Sequence, residues 1–487
     1  MALFTSLALQ CMLGLFLGHQ YDMNIFFIAG YVVSKGLAPY GVFPAKAIFN
    51  HPGFLEEIPG IGYPPFWTLF LGLSYLFVYG PTENIFAYNL AIKLPSILSN
   101  IVLAFVLEKI AVHEGANKET SNKIFYFFLF NPFMIYISAA WGQFDSLVIL
   151  ITILAMNDLF RGRTKRSALL LAMSTSLKII PFVLMPLFML FNKRNRTLKS
   201  NLQFILALSV GLIAFSYAPF ILFNWDLDQI LDNPSYHFQR AGCLSFFNIL
   251  ELILRETRLP QEWQFFGYLW IPALALGYSF LLKTSLRTQT DMFRWASSLL
   301  FILMLTRTWV SEQNVILLIP PITLYEVVIL RKWITVQSAW IITIVFTVLN
   351  ATPFQMFFLL SPEPGNIVKA FDQMYLDYRL IAKFVIVIPW NILGWYYVMR
   401  TIKATGKDAR TQLLMRNHEF VDVEDYSKNE SDSPKNRSDS HVQNYLSRMP
   451  EQKPNSHYCC QTAYNGVNPY NERAKIVESL DKKVKVD

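Results

Sequence analysis

Long apolar runs recur through residues 1–400, separated by short polar loops, and that recurrence decides the class of fold. A helix needs ~20 apolar residues to cross a bilayer. Within lipid, only helices and closed barrels satisfy their own backbone polar groups. Runs near 2–18, 85–107, 124–140, 147–160, 202–222, 264–282, 295–306, 315–330, 333–350 and 380–399 read as membrane-crossing helices. The expectation is an all-α polytopic membrane protein with about 10–13 transmembrane helices. The first run has no Lys or Arg before it, and 19–22 offers no small-residue cleavage site, so it reads as a retained span.

Composition separates a body from a tail. Charged residues make up only 16% of the chain, against about 25% in soluble proteins, which argues against a one-domain water-soluble enzyme. Residues 401–487 hold 27 of the 76 Asp, Glu, Lys and Arg. Mixed charge and few aliphatics at 429–440 predict a disordered polar tail over 401–487. The apolar body, 1–400, is then the working domain. Net charge of +8 reflects basic loops beside spans and implies no nucleic-acid partner. Four cysteines, two of them adjacent at Cys459 and Cys460, form no disulfide framework or metal-ligand spacing.

Lys and Arg stay on the cytoplasmic side of short loops. One set of alternating loops (108–123, 161–167, 192–200, 283–294, 331–332 and 400–410) carries 20 of them in 57 residues. The opposite set (19–84, 141–146, 223–263, 307–314 and 351–379) carries 8 in 150. The second set therefore faces out, and the tail faces the cytoplasm. Two apolar stretches do not alternate. The run 66–79 is too short to cross and reads as an interfacial helix, with Phe66, Trp67, Tyr75 and Tyr79 at headgroup level. The stretch 168–191 has basic clusters at both ends, so it reads as a re-entrant or broken helix pair with its apex at Lys178 and Pro181.

The outward loops carry the chemistry. His19, Tyr21 and Asp22 follow the first span directly. A carboxylate beside hydrocarbon loses hydration, which raises its pKa and suits it to accept a proton; a helix-end polar marker is the plainer reading. Gly62-Tyr63-Pro64-Pro65 sets a rigid corner. The turn Trp141-Gly142-Gln143-Phe144-Asp145-Ser146 crowds polar groups at one mouth, although Asp145 could equally cap the next helix. Lys178 has no carboxylate beside it in the sequence; an ionisable residue at membrane depth points to function, and snorkelling is the competing account. The turn from Arg307 to Asn314 includes Glu312 and Gln313, where Arg307 and Glu312 either neutralise each other or leave the arginine for a phosphate. Asp226-Leu227-Asp228 is a weak metal pattern, and no phosphate loop, nucleophile elbow or HExxH occurs.

In order, these pieces resemble the C-type membrane glycosyltransferases that use polyprenol-phosphate sugars, in the region of the multi-span mannosyltransferases. The likeness rests on the outward Asp22, on TyrProPro, on AsnPro followed by TrpGlyGlnPheAspSer, and on SerLeuLysIleIlePro and ThrTrpValSerGluGlnAsn. It implies an inverting transfer of a hexose, mannose before glucose, from a polyprenyl or dolichyl phosphate to a lipid-linked or glycan acceptor on the extracytoplasmic face. It places the catalytic base at Asp22. The acidic neighbour common in the family is replaced here by Met23-Asn24, so Asp145 is the candidate second carboxylate. His19, Tyr21, Tyr63, Gln143, Lys178, Arg307, Glu312 and Gln313 are expected to bind substrate, with membrane lipid as the surrounding partner and no cofactor or metal called for. The rival function is a carrier or flippase for lipid-linked sugars, but no second copy of the 124–190 pattern is evident, as an inverted repeat would require. No retrieval signal for the endoplasmic reticulum is evident, which favours a prokaryotic plasma membrane over that organelle.

Overall fold

A computed structural model describes residues 1–228, 239–284, 286–351, 353–361 and 363–426. The chain divides into two compact units, Met1–Asn417 and His418–Asp487. In the second unit, helix backbone as far as Tyr426 is described. The all-α expectation holds. Among the described residues, strand is confined to two-residue pairs: β1 (Val42–Phe43) with β2 (Ile58–Pro59), and β3 (Gly242–Cys243) with β4 (Trp309–Val310).

Five helical segments are long and apolar enough to cross a membrane: Ile85–His113, Lys118–Trp141, Leu198–Phe223, Gln261–Leu282 and Gln373–Ala404. The apolar helices Ala2–Phe16 and Ile334–Asn350 are shorter. All seven coincide with runs read from the sequence. The segment 145–160 is a helix buried almost all round inside the bundle, and Ile319–Glu326 is wholly buried. A helix apolar on every side belongs in the interior.

The principal helices near the site are α1 (Ala2–Phe16), α2 (Gln20–Ser34), α3 (Pro65–Ser74), α4 (Ile85–His113), α5 (Lys118–Phe130), α6 (Asp145–Phe160), α7 (Thr164–Leu177) and α8 (Met185–Asn195). Helix α2 is absent from the sequence expectations. Its polar first turn hides an apolar continuation that packs on α3, where a side chain at Gly72 would come within 2.6 Å of Val33. Two aromatics of 66–79 depart from a lipid-facing belt. Trp67 is 1% exposed and stacks on Phe144 at 4.3 Å, while Phe66 packs on Phe215. That face of α3 packs into the bundle, while Leu73 and, just beyond the helix, Leu76 and Phe77 are exposed.

The broken pair forms as expected. α7 ends at Leu177, Lys178 is extended, a tight turn of helix covers Ile180–Leu184, and α8 returns. Arg196 donates to the Phe160 carbonyl at 3.2 Å, and Thr164 reaches Asn192 at 3.5 Å. Both basic clusters therefore lie at the same end. Three further helices line a groove discussed below: α9 (Trp270–Leu282), α10 (Gln289–Thr306) and α11 (Glu363–Tyr426). Helix α11 runs into the stretch from 401 expected to be a disordered tail; residues 427–487 of that tail lie outside the described residues.

Candidate active site

Two chain segments far apart in sequence meet beyond the end of α1. The His19 amide donates to the Trp141 carbonyl at 3.0 Å, and the Gly18 amide to the Met356 carbonyl at 2.8 Å. Local sequence explains the second segment. Asn131 caps the turn that begins at Pro132. The backbone then widens into a π-turn over Tyr136–Trp141, which Gly142 ends with φ of 103°. π-turns recur at functional sites because the extra residue re-aims side chains.

Gly142 has no room for a side chain. A Cβ there would lie 2.4 Å from Met23 Sδ and 2.8 Å from Lys93 Cε, in a left-handed backbone that costs an L-residue about 1–2 kcal/mol. Gly142→Ala is expected to lower the thermal midpoint of the purified protein by several degrees and to cut turnover about tenfold or more. A variant with wild-type midpoint and rate would show that the turn is not tightly held.

The turn delivers Trp141 and Gln143 to Asp22. Trp141 Nε1 donates to Asp22 Oδ2 at 2.5 Å, and Gln143 Nε2 donates to the same oxygen at 2.8 Å. His19 caps α2, and its Nδ1 lies 3.4 Å from both the Asp22 amide and Oδ2. Bare, that nitrogen accepts from the amide; protonated, it pairs with the carboxylate. The imidazole stacks on Trp141 with centroids 4.3 Å apart. All three groups address Oδ2, and Oδ1 has no partner among the described residues. Tyr63 donates to Gln143 Oε1 at 3.5 Å, which fixes the amide with its NH₂ toward Asp22. Burial pushes the Tyr63 phenol well up, and the Asp22 and Asp145 charges add to it.

The Asp22 carboxyl is tuned differently from the sequence expectation. Burial does push the Asp22 carboxyl up. The His19 charge and hydrogen bonds from His19, Trp141 and Gln143 outweigh it, so the carboxyl sits below its ordinary value. The correction is physical: desolvation is only part of the balance when three donors converge on one oxygen.

Lys178 does have a carboxylate, which the local sequence did not show. Its Nζ lies 2.5 Å from Asp145 Oδ1, with the side chains 10% and 1% exposed. Asp145 is the first residue of α6 and makes no side-chain cap. Its Oδ2 is buried without a partner. Asp145 and Asp22 also lie within electrostatic reach of each other.

Glu312 does not pair with Arg307. It accepts from Asn350 at 2.9 Å, and burial pushes its carboxyl up against that bond and the nearby charges of Lys383 and His19. Glu312 and Asp22 thus both lie within electrostatic reach of His19. Gln313 is buried on the same turn. The Arg307 backbone carbonyl accepts from Ser245, while its guanidinium has no hydrogen-bond or carboxylate partner among the described residues. A groove of 960 Å³, lined by apolar side chains including Phe246, Leu276, Leu305, Ile392 and Trp395, lies among α9, α10 and α11 and reaches Thr306 beside that arginine. Tyr21 is 46% exposed.

The sequence reading passed over Trp141 as a site residue, and also Asn24, Lys93 and Asn350. Asn24 accepts from the Leu55 amide at 2.8 Å and ties the long loop to α2. Lys93 was detectable, since it is an ionisable residue inside an apolar run. Asp226 and Asp228 form a local turn in which Asp226 Oδ1 accepts the Asp228 amide. Among the described residues no His, Cys, Asp and Glu group has metal-binding geometry.

Residues 21–194 match the family model of the alpha-(1->6)-mannopyranosyltransferase N-terminal domain. Comparison with curated proteins gave no match. The matched stretch contains Asp22, Tyr63, Trp141, Gln143, Asp145 and Lys178, the residues that the fold gathers at the end of α1. The matched stretch is similar to a mannosyltransferase domain, which supports a membrane-embedded glycosyltransferase of the C-type, mannosyltransferase-like superfamily.

Proposed function

We propose that the enzyme transfers mannose from a polyprenyl-phosphate donor to a lipid-linked or glycan acceptor, with inversion, on the extracytoplasmic face. The observation that carries this reading is the asymmetry of the Asp22 carboxylate. Three groups hold Oδ2, and Oδ1 is left for an acceptor hydroxyl. In one displacement the acceptor oxygen forms its bond to the anomeric carbon as the bond from that carbon to the phosphate oxygen breaks. Oδ1 takes the hydroxyl proton, and the lipid phosphate departs with the bonding electrons. A phosphate leaves without the acid that a glycosidase must supply. Asp145 is not the base in this scheme, because Lys178 already matches its charge.

The departing phosphate needs a cation, and Arg307 is proposed for that place, with Glu312 and Gln313 on the turn that carries it. The apolar groove ending at Thr306 suits an isoprenoid chain. Arg307→Ala is expected to raise the donor KM about tenfold or more, since a charge-assisted pair contributes about 1.5–3 kcal/mol. An unchanged KM removes Arg307 from donor binding.

The decisive assay offers polyprenyl-phosphate mannose and glucose to the full chain in vesicles and reads the product by mass spectrometry. A new glycosidic bond from the mannose lipid is expected. Relocation of intact lipid with no new bond would mean a carrier.

A further inference from the structure

One face of α4 is polar along its buried length. Asn89, Lys93, Ser96 and Asn100 follow one another at helical spacing, and each is 0–1% exposed. A polar group in such surroundings needs a partner. Three of the four take theirs from the backbone that carries the site. Asn89 Nδ2 donates to the carbonyls of Gly14 at 2.8 Å, Leu15 at 3.1 Å and Leu17 at 2.8 Å, the carbonyls a helix end leaves unsatisfied. Lys93 Nζ donates to the Leu17 carbonyl and lies 3.4 Å from those of Gly14 and Ala140. Ser96 Oγ donates to the Gln143 carbonyl at 2.7 Å.

The partners are not arbitrary. Leu17 stands two residues before His19, Ala140 immediately precedes Trp141, and Gln143 is itself a donor to Asp22. Lys93 bridges both segments, and among the described residues it forms no ion pair. Three carbonyls lie within reach of its amino group, which ties the two segments together.

We propose that Asn89, Lys93 and Ser96 are positioning residues for glycosyl transfer: they hold the 17–19 and 140–143 segments so that His19, Trp141 and Gln143 converge on one oxygen of Asp22 and leave the other open. The inference rests on Asp22 acting as the base. The charged and titratable groups around that carboxylate are His19, Tyr63 and Asp145 with its partner Lys178, with Glu312 beyond His19. None is touched by changing the α4 face.

The test compares the full chain with Asp22→Asn, Lys93→Met and Ser96→Ala in vesicles, with polyprenyl-phosphate mannose as donor. Lys93→Met and Ser96→Ala are expected to lower kcat about tenfold or more with donor KM changed by less than about threefold. The acid limb of the rate should move to higher pH, because Asp22 loses donors that oppose its burial. Folded variants with wild-type kcat and an unmoved acid limb overturn the proposal. If Lys93→Met fails to fold, Ser96→Ala decides by the same two outcomes, since it leaves no charge and only a small gap. Turnover surviving in Asp22→Asn sinks the base assignment and this proposal with it. An inactive Asp22→Asn beside wild-type-like Lys93 and Ser96 variants sinks this proposal alone.

Discussion

Asp22→Asn is expected to slow mannosyl transfer by about 10²–10⁴-fold, the range a positioned general base contributes, while expression and folding persist. An asparagine oxygen can still accept from Trp141 and Gln143, so the local scaffold keeps its donors occupied. The pH behaviour follows from the depressed carboxyl. Its folded value lies below the unfolded one, so its contribution to stability is present above the ordinary aspartate pKa of about 3.9. That contribution disappears as pH falls through the folded value. Wild type and Asp22→Asn should therefore converge in thermal midpoint on acidification, and the wild-type rate should hold its basic form to below the usual carboxylate range. Near-normal turnover by the asparagine variant would take Asp22 out of the reaction.

The second large effect concerns the pair Asp145–Lys178. Removing one member of a buried ion pair leaves an uncompensated charge, at about 3–5 kcal/mol. Lys178→Met should lose most of its folded yield. The double variant Asp145→Asn with Lys178→Met should recover most of it, because no bare charge remains. Size-exclusion yield and the thermal midpoint of all four combinations measure the coupling. If Lys178→Met keeps wild-type stability and only raises the donor KM, the lysine serves the phosphate and its bond to Asp145 matters little.

Much of the architecture could be read directly from residues. Basic clusters at 161–166 and 193–196 with Pro181 between them dictated a chain that goes in and comes back, and Arg196 on the Phe160 carbonyl is that return. Other features depended on partners no local pattern reveals. The two closest donors to Asp22 lie 119 and 121 residues away in sequence, so its environment was legible only as apolar, and the direction of its shift came out reversed. Trp67 looked like a membrane-surface anchor because aromatics at that spacing serve both roles; Phe144, a core partner from another loop, decides between them. Lys178 looked unpaired because Asp145 is 33 positions upstream.

The long separation between Asp22 and its donors bears on how the protein is made. A ribosome delivers the acid first, and the indole and amide that hold it follow only when the chain has grown past residue 143. Until the turn after α5 has been made, His19, three residues away, is the nearest of the groups that hold Asp22 Oδ2. The bonds from Trp141 and Gln143 to this carboxylate can therefore form only after the chain has been made past residue 143.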